Sequence, residues 1–134
     1  MRVVVDTNVL VSAFMNPDGA PRRIVDLLLA RTFVVLIDNR ILEEYREVLV
    51  RSRFAFDPGD VWLLLDFVEH AGEYVAAEAL NLVLPDSTDL PFLEVAVSGR
   101  ADALITGNAR HFKPRRGRHS VNISSPADFL RRLT

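Results

Sequence analysis

Cysteine is absent from the 134 residues of this chain. Disulfide bonds, zinc–thiolate centres and cysteine nucleophiles are therefore excluded. The sequence also lacks any apolar run near the ~18–20 residues that a membrane-spanning helix needs. At the start of the chain, Asp6 falls where a signal peptide would continue its apolar core. We therefore expect a soluble, cytoplasmic protein with no membrane partner.

The length and composition are those of one ordinary globular domain. A chain of 134 residues is too short for two typical domains. Hydrophobic residues make up 49% and charged residues 25%, which excludes a disordered or low-complexity chain. We therefore expect a single domain over residues 1–134.

Lysine is almost absent, because Lys113 is the only one among 16 basic residues. Five of the 16 fall within residues 110–118, here called the basic segment, with no acid between them: Arg110, Lys113, Arg115, Arg116 and Arg118. The net charge is only −2, so this segment is a local cationic excess on an otherwise acidic chain. It is either an anion-binding patch or a solvated loop.

Short β-branched runs alternate with helical patterns along the chain. Strands are predicted at residues 2–6, 33–37, 73–77, 103–106 and 120–123. Six helices are predicted. The first covers residues 8–14, the second starts at Pro21, and the third runs from 38 or 39 to about 53. The fourth runs from 58 or 60 through 69, the fifth follows a loop that starts at Asp86 and ends at Ser98, and the sixth runs from 125 or 126 through 133. The alternation predicts an α/β three-layer sandwich with a mainly parallel central sheet of four to five strands and right-handed crossovers.

Ligands of such sheets bind beyond the carboxyl ends of the strands. Asp6 closes the first predicted strand and Asn108 follows the fourth, so both are expected at that edge. Asp102 precedes the fourth strand and is expected at the opposite edge, as a surface turn residue. The alternative for Asp6 is a simple helix N-cap.

Three glutamates stand within residues 41–49, where a helix is predicted. On a helical wheel, Glu44 borders the apolar face, whereas Glu43 and Glu47 point the other way. Glu44 is therefore the one that can reach a shared pocket, unless it is only a rim residue that extends to solvent.

Two further acids, Asp86 and Asp89, precede a helix whose first turn contains Pro91. This pattern is also typical of helix capping. If these acids join Asp6 and Glu44, their mutual repulsion requires a cation. Oxygen ligands favour Mg²⁺ or Mn²⁺, ions that activate water and steady the leaving oxygen of a phosphodiester.

Four stretches of the sequence together resemble the PIN-domain family, and more narrowly the toxins of VapC type from prokaryotic type II toxin–antitoxin systems. They are VVVDTNVL (3–10), ILEEYREVL (41–49), DSTDLPFLEVA (86–96) and ADALITGNARHF (101–112). The resemblance implies the PIN fold and a Mg²⁺- or Mn²⁺-dependent endoribonuclease. It also implies a homodimer and an antitoxin protein that blocks the acidic pocket.

The resemblance assigns roles to particular residues. Asp6, Glu44 and Asp89 match the catalytic, metal-binding acids of the family, and Asp86 matches an extra acid of this branch that assists in holding the metal. Asn108 stands where the family often has an aspartate. Its amide oxygen can bind a metal ion but brings no charge. This difference bears on the affinity for a second metal ion and on catalytic strength.

The basic segment follows Asn108 directly, which favours contacts with RNA phosphates that give affinity without sequence choice. The two histidines beside it, His111 and His119, are expected near phosphate or in solvent rather than on a metal. The principal alternative is a non-catalytic RNA- or protein-binding module on the same fold, in which Asn108 marks lost chemistry. A receiver-like Mg²⁺ signalling domain is disfavoured, because it would need a lysine after its last strand.

Overall fold

Five short parallel strands form the centre of the molecule in a computed structural model that describes residues 1–133. They are β1 (Arg2–Val5), β2 (Val34–Ile37), β3 (Glu73–Tyr74), β4 (Ala103–Ile105) and β5 (Ile123–Ser124). Their order across the sheet is β3-β2-β1-β4-β5, and every pairing is parallel. The predicted α/β class and parallel sheet are confirmed.

Six helices connect the strands, and their starts follow the expected chemistry. Proline stands in the first turn of four of them, where its missing N–H costs nothing. Asp38 and Asp57 cap the helices that begin at Asn39 and Pro58 through hydrogen bonds from backbone N–H groups. The helices are α1 (Thr7–Met15), α2 (Ala20–Leu29), α3 (Asn39–Leu49), α4 (Pro58–Ala71), α5 (Leu90–Ser98) and α6 (Pro126–Leu133).

Short 3₁₀ turns account for part of the difference between predicted and observed boundaries. α3 ends at Leu49 rather than near residue 53, and a 3₁₀ turn, Ser52–Phe54, follows it. The fifth strand begins at Ile123 rather than at 120. The ring of His119 accepts a hydrogen bond from the N–H of Val121 and contacts the carbonyl oxygen of Phe112, which holds this stretch outside the sheet.

The core lies on both faces of the central strands. The side chains of β1 from Val3 to Val5 and all of β4 are at most 1% exposed. α5 packs on β1, β2 and β4, and α2 packs between α1 and α6. The β1–β2 and β3–β4 connections run in opposite directions across the sheet, so right-handed crossovers put α2 and α5 on opposite faces. This is the three-layer arrangement.

The amino and carboxyl ends of the parallel strands form two separate edges of the sheet, as predicted. At the amino edge, the N–H of Arg2 donates to the exposed carboxylate of Asp102 over 2.8 Å. Asp6 and Asn108 lie at the carboxyl edge, after β1 and its neighbour β4. Within residues 1–133, no helix combines the length and the apolar character needed to cross a membrane.

Candidate active site

Asp6 directly follows β1 and contacts the end of the neighbouring strand, β4. Its N–H donates to the carbonyl of Ile105 over 2.9 Å, and the hydroxyl of Thr106 donates to its Oδ2 over 2.8 Å. Asp6 occupies the N-cap position of α1, yet its side chain makes no capping hydrogen bond. The N-cap alternative therefore does not account for this carboxylate, which is 4% exposed.

Glu44 reaches the same place from α3. The buried Tyr45 hydroxyl donates to the carbonyl of Val5 and fixes the rotation of α3 against the end of β1. The hydroxyl of Thr7, the residue after Asp6, donates to Oε2 of Glu44. Glu44 is half-buried while Glu43 is exposed, as the helical wheel predicts.

Asp89 stands at the junction of a 3₁₀ turn, Ser87–Asp89, and α5. Its side chain does not cap α5. Its Oδ2 atom is buried and has no hydrogen-bond partner among the described residues. Burial, followed by repulsion from Asp6, raises the pKa of Asp89 to about 6. A buried carboxylate oxygen without a donor is a suitable ligand for a cation.

Asp86 differs from the other acids because it is exposed and already engaged. Its Oδ1 accepts hydrogen bonds from the N–H of Thr88 over 2.9 Å and from the Thr88 hydroxyl over 2.8 Å. These bonds, the backbone one first, lower its pKa. The capping alternative therefore describes Asp86, which stabilises the turn that carries Asp89.

Asn108 and His111 complete the edge. The N–H of Asn108 donates to the Thr106 hydroxyl over 3.0 Å, and its Nδ2 lies 3.0 Å from Nε2 of His111. The other ring nitrogen, Nδ1, lies 3.2 Å from Oδ2 of Asp89. From the sequence, His111 is expected near phosphate or in solvent, whereas the structure places it beside Asp89. Its one available signal is the i, i+3 spacing from Asn108, which a 3₁₀ turn, Ala109–Phe112, brings to one side.

Three carboxyl groups of this edge share one electrostatic environment. The pKa values of Asp6, Glu44 and Asp89 are all raised, in each case first by burial. Asp6 also raises the pKa of both others by repulsion. A divalent cation would stabilise all three ionised forms together, so the donor set fits Mg²⁺ or Mn²⁺.

The tightest group of ligand atoms lies elsewhere. Within residues 1–133, the only trio of histidine or acidic ligand atoms lying within 4.8 Å of one another belongs to Asp66, Glu69 and His70 on α4. These residues are partly or fully exposed, and Glu69 pairs with Arg46. The three carboxylates of the sheet edge are spaced more widely, as repelling charges without a cation should be.

A comparison with protein families shows which family this chain belongs to. The family model described as PIN domain matches residues 2–110. This chain belongs to the PIN domain family. PIN domains are generally nucleases, and they typically use divalent metal ions. The matched range includes Asp6, Glu44, Asp89 and Asn108.

One similar protein adds no function to this PIN domain. It is an uncharacterised protein, MJ1680, of Methanocaldococcus jannaschii, 43% identical over 44 residues. The alignment covers 33% of this chain and 28% of that relative. The chain thus spans only a small part of the relative's length.

The basic segment of this PIN domain starts where the family match ends. All five of its cationic side chains are exposed, as the sequence predicts for either alternative. Val83 and Arg116 form an isolated antiparallel bridge, which holds the segment against the chain before Asp86. Arg118 lines a cavity together with Arg100, which precedes β4. The segment therefore leaves the site after Arg110 and runs towards the amino edge.

Proposed function

We propose that this PIN domain is a Mg²⁺- or Mn²⁺-dependent endoribonuclease that hydrolyses RNA phosphodiesters. The observation that carries the proposal is the buried Oδ2 of Asp89, which accepts no hydrogen bond, beside two further carboxyl groups of raised pKa. Asp6, Glu44 and Asp89 would hold the cation. Asp86 is a supporting residue, because it caps the turn before Asp89.

The side chains around the acids have separate tasks. Thr106 and Thr7 orient Asp6 and Glu44 through hydroxyl donors, each of which fixes one oxygen of the carboxylate. When bound, the cation supplies Lewis-acid polarisation of the phosphate and lowers the pKa of a water molecule. Glu44 is the more exposed of this pair.

The basic segment supports RNA as the substrate class. In the described chain, none of its five cationic side chains forms an ion pair with a carboxylate. Unpaired cations of this kind bind the phosphates of a nucleic acid strand. Arg110 lies next to His111, at the rim of the acidic edge, and the later residues would guide the strand away from it.

We also propose the toxin role, with an antitoxin protein and a homodimer as partners. The family resemblance suggests it, and apolar side chains on the surface support a protein partner. Trp62 and Leu63 on α4 and Val50 after α3 are all more than 60% exposed. Light scattering tests the dimer, which should have twice the mass of the 15.1 kDa chain.

Circular single-stranded RNA tests the proposed activity, because a circle has no ends for an exonuclease. The wild-type protein should cut it with Mn²⁺ and not with EDTA. Asp6→Asn should abolish cutting, while Asp102→Asn, the same change at the opposite edge, should not. Cutting in EDTA, or by Asp6→Asn at the wild-type rate, would contradict the proposal. Binding without cutting would favour the non-catalytic module.

A further inference from the structure

Among the described residues, His111 is the one histidine that contacts a carboxylate of the candidate site. Its Nδ1 lies 3.2 Å from Oδ2 of Asp89, and its side chain is 42% exposed. Despite this distance, Oδ2 accepts no hydrogen bond. The ring nitrogen and the carboxylate oxygen therefore lie side by side, and the N–H direction does not point at the oxygen.

That arrangement matches two neighbouring ligands of one metal ion. Adjacent ligands of an octahedral ion with bonds of about 2.1 Å are about 3 Å apart. The observed 3.2 Å is close to this separation. A cation bound by both atoms would also give this buried oxygen the partner that it lacks as a hydrogen-bond acceptor.

We propose that Nδ1 of His111 is a ligand of the cation held by Asp89, and that it supplies the donor atom that an aspartate at position 108 would otherwise supply. The inference rests on the proposed metal site. It changes the donor set from oxygen alone to oxygen with one imidazole nitrogen. Asn108 becomes a positioning residue, which acts on the metal through His111.

The contact between Asn108 and the ring supports this division of roles. A histidine that binds metal through Nδ1 carries its proton on Nε2 and usually donates it to a neighbouring oxygen. The amide of Asn108 lies 3.0 Å from Nε2. A half-turn of the amide group presents its oxygen at that place, because the two ends of an amide have the same shape.

The nitrogen ligand predicts a metal preference. Imidazole binds Mn²⁺ and later transition metals better than Mg²⁺, which prefers oxygen. Loss of His111 should therefore weaken Mn²⁺ binding about tenfold or more while changing Mg²⁺ binding by less than about threefold. If the site had only oxygen ligands, loss of His111 would weaken the binding of Mn²⁺ and Mg²⁺ to a similar extent or would change neither.

Electron spin-echo spectroscopy of bound Mn²⁺ tests the assignment directly, because it detects a coordinated nitrogen. All proteins carry His70→Ala, which removes the histidine of the surface trio on α4. This background should show a nitrogen signal. Adding His111→Ala should abolish the signal, with Mn²⁺ still bound and the unfolding temperature unchanged.

A mutant cycle with Asn108→Asp follows calorimetric Mn²⁺ affinity. The carboxylate should strengthen Mn²⁺ binding about tenfold through the ring, and the gain should disappear in His111→Ala. A persisting gain would make residue 108 a direct ligand and overturn the positioning role. Binding that Asp89→Asn abolishes but that shows no nitrogen signal would overturn only the His111 assignment. Binding indifferent to Asp89→Asn would overturn the metal site itself.

Discussion

At the residue scale, the site is defined by carboxyl groups whose ionised forms are poorly stabilised by the protein itself. Asp89 is the clearest case, since its Oδ2 is buried without a donor. Asp6 is more buried but receives a hydrogen bond from Thr106. Such groups reduce the stability of the fold when ionised, and they persist where a ligand supplies the missing charge.

The first prediction concerns the pH dependence that follows from Asp89. Its pKa is about 6 in the folded chain against 3.8 ordinarily, so the folded protein binds this proton more tightly than the unfolded one. Its contribution to stability is full below about pH 4 and is lost as the pH rises through about 6. Asp89→Asn should therefore raise the free energy of unfolding of the metal-free protein at pH 7, by about 1 kcal/mol after allowance for solvent screening.

Urea unfolding at pH 4 and pH 7 measures this effect. Asp86→Asn is the matched control, because the pKa of Asp86 is lowered and its ionised form is the stabilising one. That variant should not gain stability at pH 7. If Asp89→Asn destabilises the fold equally at both pH values, ionisation of the buried Asp89 carboxyl does not lower the free energy of unfolding, and the prediction is wrong.

At the scale of elements, the rotation of α3 decides which glutamate enters the site. The buried Tyr45 fixes this rotation through the carbonyl of Val5, and Thr7 contacts Glu44. Glu44→Gln should therefore reduce the rate of RNA cleavage at least 100-fold, in the range of removing a catalytic acid–base or charge-stabilising group. The adjacent Glu43→Gln should leave the rate within about twofold, because exposed side chains away from a site contribute little.

Cleavage rates at saturating Mn²⁺ compare the two glutamate variants. Thermal unfolding of both serves as the control for folding. Equal losses in the two variants, or a larger loss in Glu43→Gln, would contradict the register of α3.

The basic segment is the second element with a testable role. Replacing Arg115, Arg116 and Arg118 with alanine should weaken RNA binding and flatten its dependence on salt. For single-stranded RNA, the loss of three phosphate contacts lowers the log–log salt slope by up to about 2. Fluorescence anisotropy over a salt series measures the slope, and Mn²⁺ affinity should stay the same.

Arginines outside the segment provide the control for this measurement. A triple variant at Arg22, Arg46 and Arg51 changes the net charge equally but affects side chains that pair with acids. It should leave the slope nearly unchanged. If both triple variants flatten the slope equally, RNA senses only the net charge and the basic segment is a solvated loop.

At the scale of the whole molecule, the pattern of strands and helices could be predicted because each core strand is a short β-branched run. The parallel topology then fixed which ends meet, which brought Asp6 and Asn108 together and excluded Asp102. Asp86 and Asp89 share one capping pattern, so only the observed hydrogen bonds to Thr88 distinguish them. The position of His111 and the path of the basic segment depend on a 3₁₀ turn and on the Val83–Arg116 bridge, which local sequence does not specify.

The described part of the molecule offers two candidate places for a cation, which differ in burial. One is the sheet edge around Asp89, and the other is the exposed trio of Asp66, Glu69 and His70. A cation at the sheet edge should stabilise the fold by an amount that rises with the logarithm of its concentration above the dissociation constant.

Single-turnover cleavage of RNA across a series of Mn²⁺ concentrations tests the central claim most directly. The proteins compared are the wild type, Asp89→Asn and Asp66→Asn. We predict that Asp89→Asn is inactive at every Mn²⁺ concentration and that Asp66→Asn has the wild-type rate and the wild-type Mn²⁺ midpoint. Retained activity in Asp89→Asn, together with a shifted midpoint in Asp66→Asn, would contradict the account and place the working metal on α4.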